Sequence, residues 1–248
     1  MEDTSAIILA AGYGSRLGVL TNSTPKPLLL FDGLPFIEYV IRWLMKSGIR
    51  DINVICSVHY EQFEPLIYSN ESFSRCVRLF RLERATTTVA SAQLGLQNAF
   101  HKLCFILTCD SLWTVDLRDL YDRNVQTSSL ATVLISARPN FSNYGAVKVL
   151  PDDSVIQMWP NEGTLRTFPT YVRPGSTMGL YLVDRDAVLS VIAPEDSSIE
   201  REPLNRLIPR VQAVWNETFF LDFGTPESYH LLLTQPQLIR QCWGLTST

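Results

Sequence analysis

The sequence predicts an α/β protein whose mostly parallel, Rossmann-like sheet is flanked by helices, with a mixed β insertion in its second half. Two observations carry this prediction. Short, fully apolar runs alternate with helical patterns through the first half of the chain, which is typical of parallel strands covered on both faces. In addition, 46% of the 248 residues are hydrophobic and 19% are charged, a globular balance that excludes overall disorder.

The first half supplies the strand–helix alternation. The apolar run Ala6–Ala10 leads into glycines, as a buried strand entering a tight turn would. Residues 35–47 place their large apolar side chains on one helical face, and Gly48 follows as the C-cap. The same pattern then predicts strands at 52–56, 76–82, 103–108 and 130–136, and helices at 61–68, 89–100 and 116–123.

After residue 140 the elements become shorter and mixed. Pro151-Asp152-Asp153 separates two apolar segments, 144–149 and 155–158, which predicts a hairpin. The remaining pattern predicts a strand at 177–183, helices at 184–191 and 203–207, two short strands within 211–221 and a helix from Pro226. We therefore expect one domain over residues 1–248, with a core at 1–140 and a second part at 141–233 that returns to this core.

Charge and composition argue against several classes of protein. The chain has 21 Lys and Arg residues and 25 Asp and Glu residues, and a formal net charge of −4 does not suit a broad nucleic-acid surface. The acidic start Met1-Glu2-Asp3 is unlike a signal peptide, and no apolar run approaches the ~20 residues of a membrane span. Five cysteines without a C-x-x-C pair favour a reducing compartment. We therefore expect a cytoplasmic protein with neither nucleic acid nor membrane as a partner.

The segment most informative about chemistry begins where the first predicted strand ends. It runs Leu9-Ala10-Ala11-Gly12-Tyr13-Gly14-Ser15-Arg16-Leu17, and Lys26 follows between two prolines. Small residues let backbone N–H groups approach phosphate oxygens, and Arg16 offers a planar fork for a phosphate. The prolines restrict where the Lys26 ammonium can point. A triphosphate is the ligand that this arrangement fits.

Two other phosphate-binding motifs do not match this segment. Leu17 stands where the dinucleotide fingerprint needs its third glycine, and no Gly-Lys-Ser or Gly-Lys-Thr follows. A plain tight turn is the alternative explanation for two glycines after a strand. The arginine and the Pro-Lys-Pro at this spacing argue against that alternative.

These residues closely resemble the signature of the sugar-1-phosphate nucleotidylyltransferases, roughly Leu-Ala-Ala/Gly-Gly-x-Gly-x-Arg-Leu followed by Pro-Lys-Pro. The resemblance extends over about residues 5–233 and is strongest to the short heptose- and mannose-1-phosphate guanylyltransferases. The uridylyltransferase that acts on N-acetylmuramate 1-phosphate is also similar. Further matching segments are Pro35–Tyr39, Cys109-Asp110, Asn143–Val147, Met178–Tyr181, Ser197–Glu200 and Phe220–Pro226. The resemblance implies a GT-A-like nucleotidyltransferase fold, with residues 1–140 binding the nucleotide and residues 141–233 binding the sugar.

The resemblance also implies an activity, in which a nucleotidyl group passes from an NTP, with GTP favoured, to a sugar 1-phosphate. It implies that Arg16 holds the β- and γ-phosphates, that Lys26 contacts the α-phosphate, and that Asp110 and Asp222 hold Mg²⁺. The implied nucleotide-binding residues are Leu9, Ala10, Ala11, Gly12, Gly14, Ser15, Glu83 and Thr88. A solvated charge at a strand end is the alternative role of Glu83. The implied sugar-binding residues are Tyr144, Gly145, Gly179 and Glu200. Association into a homo-oligomer is compatible with the sequence.

Two departures from the family pattern concern the substrates. Residues 85–90 contain three threonines in place of a glycine-rich stretch that packs under the base, so the identity of the nucleobase stays open. Residues 158–162 lack the lysine that binds the acceptor phosphate in many members, which leaves Arg166 and Arg173 as alternatives.

Two residues near Asp110 also invite interpretation. Cys109 replaces the family glycine, and a small buried hydrophobe is its favoured role over a reactive thiol. Trp113 follows Asp110 by three residues and is the one tryptophan placed to face the site.

Two alternatives to the sugar nucleotidyltransferase remain. One is a cytidylyltransferase acting on a non-sugar phosphate such as phosphocholine, which shares the front motif; Glu200 argues for a sugar instead, because a glutamate at this position of the resembling enzymes bonds sugar hydroxyls. The other is a catalytically silent protein that binds a nucleotide sugar. Such proteins commonly lose the catalytic cations or metal carboxylates, which are all present here as Arg16, Lys26, Asp110 and Asp222.

Overall fold

The computed structural model describes residues 1–12, 14–57, 59–83, 87–137, 145–159 and 170–245. The strands, in chain order, are β1 (Thr4–Leu9), β2 (Leu30–Phe31), β3 (Leu34–Pro35), β4 (Asp51–Cys56), β5 (Val77–Arg81), β6 (Leu103–Thr108), β7 (Ser111–Trp113), β8 (Ala131–Ser136), β9 (Ala146–Val149), β10 (Val155–Met158), β11 (Arg173–Asp184), β12 (Val211–Asn216) and β13 (Phe220–Asp222). The α-helices are α1 (Phe36–Lys46), α2 (Phe63–Tyr68), α3 (Glu71–Ser74), α4 (Thr88–Gln97), α5 (Leu117–Thr127), α6 (Arg185–Val191), α7 (Pro226–Thr234) and α8 (Gln237–Trp243). Shorter helical turns cover Ser15–Thr21, Lys26–Leu28, Tyr60–Gln62 and Glu200–Leu204.

Within these described residues, no helix has both the length and the apolar character that crossing a membrane requires.

A nine-stranded sheet forms the centre of the structure. Its main path is β10-β9-β11-β6-β1-β4-β5, and β8 and β12 join it beside β11. All of these strands except β10 and β11 run in the same direction. The prediction of a mostly parallel sheet with a mixed second half is therefore confirmed. Strands from both halves of the chain hydrogen-bond within this one sheet.

The predicted elements are present, and the largest differences lie in the second half. The strand expected at 177–183 is the longer β11, because it pairs along its length with β6, β8 and β9. The helix expected at 203–207 begins earlier, as the turn Glu200–Leu204. The β2–β3 pair, the strand β7 and the helices α3 and α8 were not predicted, since elements of two to seven residues leave little periodic signal.

Helices cover both faces of the sheet, and each face has its own apolar core. On one face, α1, α5 and α8 enclose three tryptophans, with the Trp43 ring 5.9 Å from Trp113 and 5.1 Å from Trp243. On the other face, α4 and α6 pack on the sheet. Trp113 is fully buried, and its indole N–H donates to the Met178 carbonyl at 2.7 Å. The expectation that Trp113 faces the site is wrong, because its ring packs against Trp43 and Trp243 in the core.

The strand register brings separate parts of the chain to one edge of the sheet. Leu9 at the end of β1 is paired with Thr108 at the end of β6. The loop after β1 and the Asp110 that follows β6 therefore lie side by side at the carboxyl edge, where open α/β sheets bind ligands. Antiparallel pairing of β13 with β7 places Asp222 opposite Ser111.

Candidate active site

Two adjoining clefts open at the carboxyl edge of β1 and β6. The first, called here the glycine-loop cleft, has a volume of about 250 Å³ and is lined by the loop after β1 and the start of α4. The second, called here the Glu200 cleft, has a volume of about 220 Å³ and is lined by β11 and by Glu200. The residues that line both clefts are Leu9, Arg16, Thr88, Thr108 and Asp110.

The loop after β1 is held in place by its neighbours. The Ser57 hydroxyl donates to the Ala11 carbonyl at 2.9 Å. Gly14 has a φ of +64°, and a Cβ at this position would lie 3.1 Å from side-chain atoms of Lys26 and Thr21. Glycine therefore suits this position both by its backbone and by the space available. The predicted nucleotide-binding residues that line the glycine-loop cleft are Leu9, Ala10, Ala11, Gly12, Gly14, Ser15 and Thr88.

A lysine lies between two carboxylates where the clefts meet. The Nζ of Lys26 is 2.7 Å from Oδ2 of Asp110 and 3.5 Å from Oδ1 of Asp222. Arg16 approaches the same cluster, with its Nη2 3.6 Å from Oδ2 of Asp222. The Lys26 side chain is 7% exposed and that of Arg16 is 60% exposed. The four predicted catalytic and metal-binding side chains are thus brought together, with Arg16 on the accessible side.

The two aspartates differ in the pKa of their carboxyl groups. Burial alone would raise the pKa of Asp110, but the Lys26 ammonium and the hydrogen bonds that Asp110 accepts outweigh it and hold this pKa below its usual value. Burial and then the negative charge of Asp110 raise the pKa of Asp222, and Lys26 and Arg16 offset this only in part. The two carboxylates repel each other, so a further cation between them would be stabilising.

Local hydrogen bonds orient both carboxylates. The Ser111 hydroxyl donates to Oδ1 of Asp110 at 3.2 Å, and the Gly224 N–H donates to Oδ1 of Asp222 at 2.5 Å. A Cβ at Gly224 would lie 2.7 Å from both the Arg16 guanidinium and the Asp222 carboxylate. Glycine at this position therefore allows the arginine to approach its aspartate.

Asp110 and Asp222 are also a fitting pair for one hard cation. Across the described part of the chain, no cluster of three or more His, Cys, Asp and Glu side chains could enclose a metal ion. Mg²⁺ does not need such a cage, because it commonly binds through one or two carboxylates together with phosphate oxygens and waters. Two mutually repelling carboxylates beside a cleft suited to phosphates match that donor set.

Glu200 lines the second cleft, and both of its carboxylate oxygens accept hydrogen bonds from the protein. Its Oε2 accepts from the Trp159 indole N–H at 2.6 Å, and its Oε1 accepts from the Tyr181 hydroxyl. The preceding residue, Ile199, donates its N–H to the Thr88 hydroxyl at 3.0 Å. The segment that carries Glu200 is therefore tied to the start of α4, which lines the other cleft.

Two predicted glycines shape the Glu200 cleft. Gly179 has a φ of +70°, and a Cβ there would lie 2.7 Å from Oγ1 of Thr108. A Cβ at Gly145 would overlap the indole ring of Trp159. Sequence reasoning missed Trp159 and Tyr181. Strand alternation is the signal that could have found Tyr181, two residues beyond Gly179, whereas no pattern marks Trp159.

Three further residues that the sequence analysis singled out are Glu83, Tyr144 and Cys109. Glu83 is exposed and lines neither cleft. Tyr144 lies outside the described residues. Cys109 lines the glycine-loop cleft with a buried thiol, and burial raises its pKa well above the usual value, as suits a small hydrophobe better than a nucleophile.

The structure reduces the number of candidate cations for binding the acceptor phosphate. Arg173 stacks its guanidinium 4.0 Å above the Trp215 ring and lines neither cleft. Arg166 lies outside the described residues. Within the described residues, the cations that line the two clefts are Arg16 and Lys26.

A family model, curated relatives and solved structures all show similarity between this chain and nucleotidyltransferases. The family model described as "Nucleotidyl transferase" matches residues 5–234. A D-glycero-alpha-D-manno-heptose 1-phosphate guanylyltransferase from Aneurinibacillus thermoaerophilus is 25% identical over 227 residues, covering 90% of this chain and 94% of the relative. A 2-aminoethylphosphonate cytidylyltransferase from Lancefieldella rimae is 48% identical over 62 residues, 25% of each chain. The crystal structure of HddC from Yersinia pseudotuberculosis complexed with GMP-PN has a TM-score of 0.74 at 17% identity, covering 93% of this chain and 98% of that one. That structural likeness shows a shared fold.

Proposed function

The chain belongs to the nucleotidyl transferase family, and we propose that it transfers a nucleotidyl group from an NTP, with GTP favoured, to a sugar 1-phosphate. The products are an NDP-sugar and pyrophosphate. The observation that carries this proposal is the position of the Lys26 ammonium between Asp110 and Asp222, where the two clefts meet. One cleft offers small residues and cations for a triphosphate, and the other offers a carboxylate for hydroxyl groups.

The proposed reaction is a single in-line displacement. An oxygen of the acceptor phosphate attacks the α-phosphorus of the NTP and forms the new P–O bond. The bond from the α-phosphorus to the oxygen that bridges to the β-phosphate breaks, and pyrophosphate leaves with that electron pair. Because the attacking oxygen is already anionic, no side-chain nucleophile is needed, and the protein contributes positioning and charge neutralisation.

The two cations have separate roles in this proposal. Lys26 is nearly buried and lies beside Asp110, so its ammonium neutralises charge that develops at the α-phosphate. Arg16 is largely exposed at the mouth of the cleft and suits the β- and γ-phosphates that leave. The backbone of the loop after β1 donates N–H groups to the remaining phosphate oxygens.

We also propose that Asp110 and Asp222 hold Mg²⁺. When bound there, the ion supplies Lewis-acid neutralisation of the phosphate charge. The support for this assignment is the chemistry of the donors, because the two carboxylates repel each other and both lie within 3.5 Å of the Lys26 ammonium.

The acceptor is assigned to the Glu200 cleft. The Glu200 carboxylate accepts hydrogen bonds from two neighbouring hydroxyls of the sugar, while Gly145 and Gly179 leave room for the ring. The acceptor phosphate then lies toward Arg16 and Asp110, which line both clefts.

A second candidate function has a specific observation in its favour. A carboxylate flanked by two aromatic side chains also suits a cationic ammonium group. The local similarity to a 2-aminoethylphosphonate cytidylyltransferase covers a quarter of the chain. A cytidylyltransferase acting on an amine-bearing phosphate or phosphonate is therefore the alternative.

One experiment separates these functions. Four NTPs are each incubated with Mg²⁺ and a panel of acceptors, and pyrophosphate release is measured. The panel contains sugar 1-phosphates, phosphocholine and 2-aminoethylphosphonate. Turnover of GTP with a sugar 1-phosphate supports the main proposal, whereas turnover of CTP with an amine-bearing acceptor supports the second. No turnover with any pair, together with nucleotide-sugar binding measured by isothermal calorimetry, supports the catalytically silent protein.

The proposed location is the cytoplasm. All five cysteines, each of which lies in the described part of the chain, are free thiols. Free thiols suit a reducing compartment.

A further inference from the structure

Both oxygens of the Glu200 carboxylate are already engaged by donors from the protein. The Trp159 indole N–H donates to Oε2 at 2.6 Å, and the Tyr181 hydroxyl donates to Oε1. A carboxylate has about four lone-pair positions, so these two bonds leave about one on each oxygen. The carboxylate is thereby fixed in rotation, with its remaining acceptor positions set before an acceptor molecule arrives.

Trp159 is itself held from several sides. Its backbone N–H donates to the Ala146 carbonyl at 2.7 Å, and its indole ring packs where a Cβ on Gly145 would otherwise be. The Arg201 guanidinium lies 4.1 Å from the ring centroid. The φ of Trp159 is +48°, a conformation that a bulky residue adopts only where the surroundings impose it. In this conformation the indole N–H of Trp159 donates to Glu200.

Tyr181 is fixed by the sheet. It lies in β11, where it pairs with Ile106 of β6 and Val133 of β8, and it is 2% exposed. Burial and then the nearby Glu200 charge raise the pKa of its hydroxyl well above the usual range. A raised pKa favours the protonated hydroxyl, which fits the geometry in which Tyr181 donates to Glu200.

We infer that Trp159 and Tyr181 are positioning residues that preset the Glu200 carboxylate for the acceptor, an inference that rests on the proposed function. Neither residue takes part in the phosphoryl chemistry. Both act through Glu200, because each donates its polar hydrogen to one oxygen of that carboxylate. Acceptor affinity therefore depends on them, whereas nucleotide affinity does not.

The test combines conservative variants with a double-mutant cycle. Trp159→Phe and Tyr181→Phe each remove a donor and keep an aromatic ring. Each is expected to raise the KM for the acceptor about tenfold and to lower the melting temperature slightly, with the KM for the NTP nearly unchanged. In a Glu200→Ala background the same substitutions are expected to add almost nothing, because the group through which they act is gone.

The chain offers matched controls for both residues. The Trp215 indole N–H also donates to a carboxylate, Asp153, at 2.8 Å, and Arg173 stacks on its ring. Trp215→Phe removes equivalent contacts away from the two clefts. Tyr39→Phe likewise removes a buried hydroxyl, which donates to the Phe31 carbonyl at 2.8 Å. Both control variants are expected to leave the acceptor KM unchanged.

The failure of this inference can be distinguished from failure of the proposed function. If wild-type protein transfers no nucleotide to any sugar 1-phosphate, the proposed function is wrong, and the cycle is run with the acceptor that the panel identifies. A crystal structure of Trp159→Phe gives a readout independent of turnover. A Glu200 side chain that leaves its wild-type rotamer supports the inference. An unchanged Glu200, or effects that add fully to those of Glu200→Ala, would overturn it.

Discussion

The ammonium of Lys26 lies 2.7 Å from a carboxylate oxygen of Asp110, a residue 84 positions further along the chain. This contact joins the loop after β1 to the end of β6. It also gives an almost buried lysine a counter-charge, without which its burial would be costly. Asp222 lies 3.5 Å from the same ammonium, so one cation screens two carboxylates. A lysine held in this way is already in place before the substrate binds.

Replacing Lys26 by alanine is expected to lower kcat by a factor of order 10²–10³, as for the loss of one preorganised donor to transition-state charge. The KM for the NTP is expected to change much less, because charge at the α-phosphate grows in the transition state. Steady-state kinetics measure both quantities. Lys46→Ala is the control, since Lys46 donates to the Trp243 and Gly244 carbonyls at the other end of the chain. A raised KM with unchanged kcat would instead make Lys26 a ground-state anchor.

Activity is expected to require Mg²⁺ and to stop in excess chelator. Asp222→Asn is expected to raise the Mg²⁺ concentration needed for half-maximal turnover several-fold, because it removes one of two hard ligands. A magnesium titration of pyrophosphate release measures this concentration. Asp116→Asn is the control, because Asp116 caps α5 by accepting from the Arg118 N–H at 2.9 Å. Full turnover in metal-free buffer would contradict the assignment of the aspartate pair.

How much could be predicted from sequence depends on how local each feature is. The loop after β1 could be predicted because its small residues and Arg16 lie in one short segment that follows a strand. The two hydrogen bonds that Glu200 accepts could not be predicted. One donor, Trp159, lies at the end of a hairpin, and the other, Tyr181, is positioned by the register of β11. The burial of Trp113 was also beyond reach, since it depends on rings from α1 and α8. Contacts between distant segments leave no periodic signal in the chain.

The cysteines are expected to differ in reactivity. Burial raises the pKa of Cys56 and of Cys104 to about 12. At pH 8 roughly one molecule in ten thousand then carries the reactive thiolate at either position. Cys76 and Cys242 are both partly exposed, and burial raises the pKa of Cys242, so Cys76 is expected to be alkylated first. Peptide mass spectrometry after brief iodoacetamide treatment measures the order, with guanidinium-unfolded protein as the control in which all five react. Rapid native labelling of Cys104 would contradict this burial.

Gly179→Ala is expected to destabilise the protein for two reasons that a control can separate. The left-handed φ of +70° costs an alanine about 1–2 kcal/mol, and its Cβ would also press on Oγ1 of Thr108 at 2.7 Å. Gly33 has a φ of +80° with open space around it, so Gly33→Ala measures the backbone cost alone. Thermal unfolding of both variants is compared. We expect the larger loss for Gly179→Ala, and equal losses would remove any role for the contact with Thr108.

The last prediction concerns Glu200→Gln. A carboxylate that accepts from substrate hydroxyls contributes about 1.5–3 kcal/mol per charge-assisted bond, so kcat/KM for the acceptor is expected to fall at least about tenfold while nucleotide affinity is kept. The amide also brings an NH₂ group against either Trp159 or Tyr181, both of which donate to the native carboxylate, so some thermal stability is lost as well. A glutamate that only supports its own turn would show the stability loss without the kinetic one.

Glu202→Gln supplies that comparison within the same segment. Glu202 accepts from the backbone N–H groups of Ser197 and Ser198, at 3.2 Å and 2.7 Å, and thus serves the turn itself. Its substitution is expected to lower the melting temperature and leave acceptor kinetics level, since its carboxylate lines neither cleft. Isothermal calorimetry with the NTP and initial rates with the acceptor separate the two variants. If a folded Glu200→Gln protein kept normal acceptor kinetics, the acceptor would not bind through this carboxylate, and the non-sugar acceptor would become the better assignment.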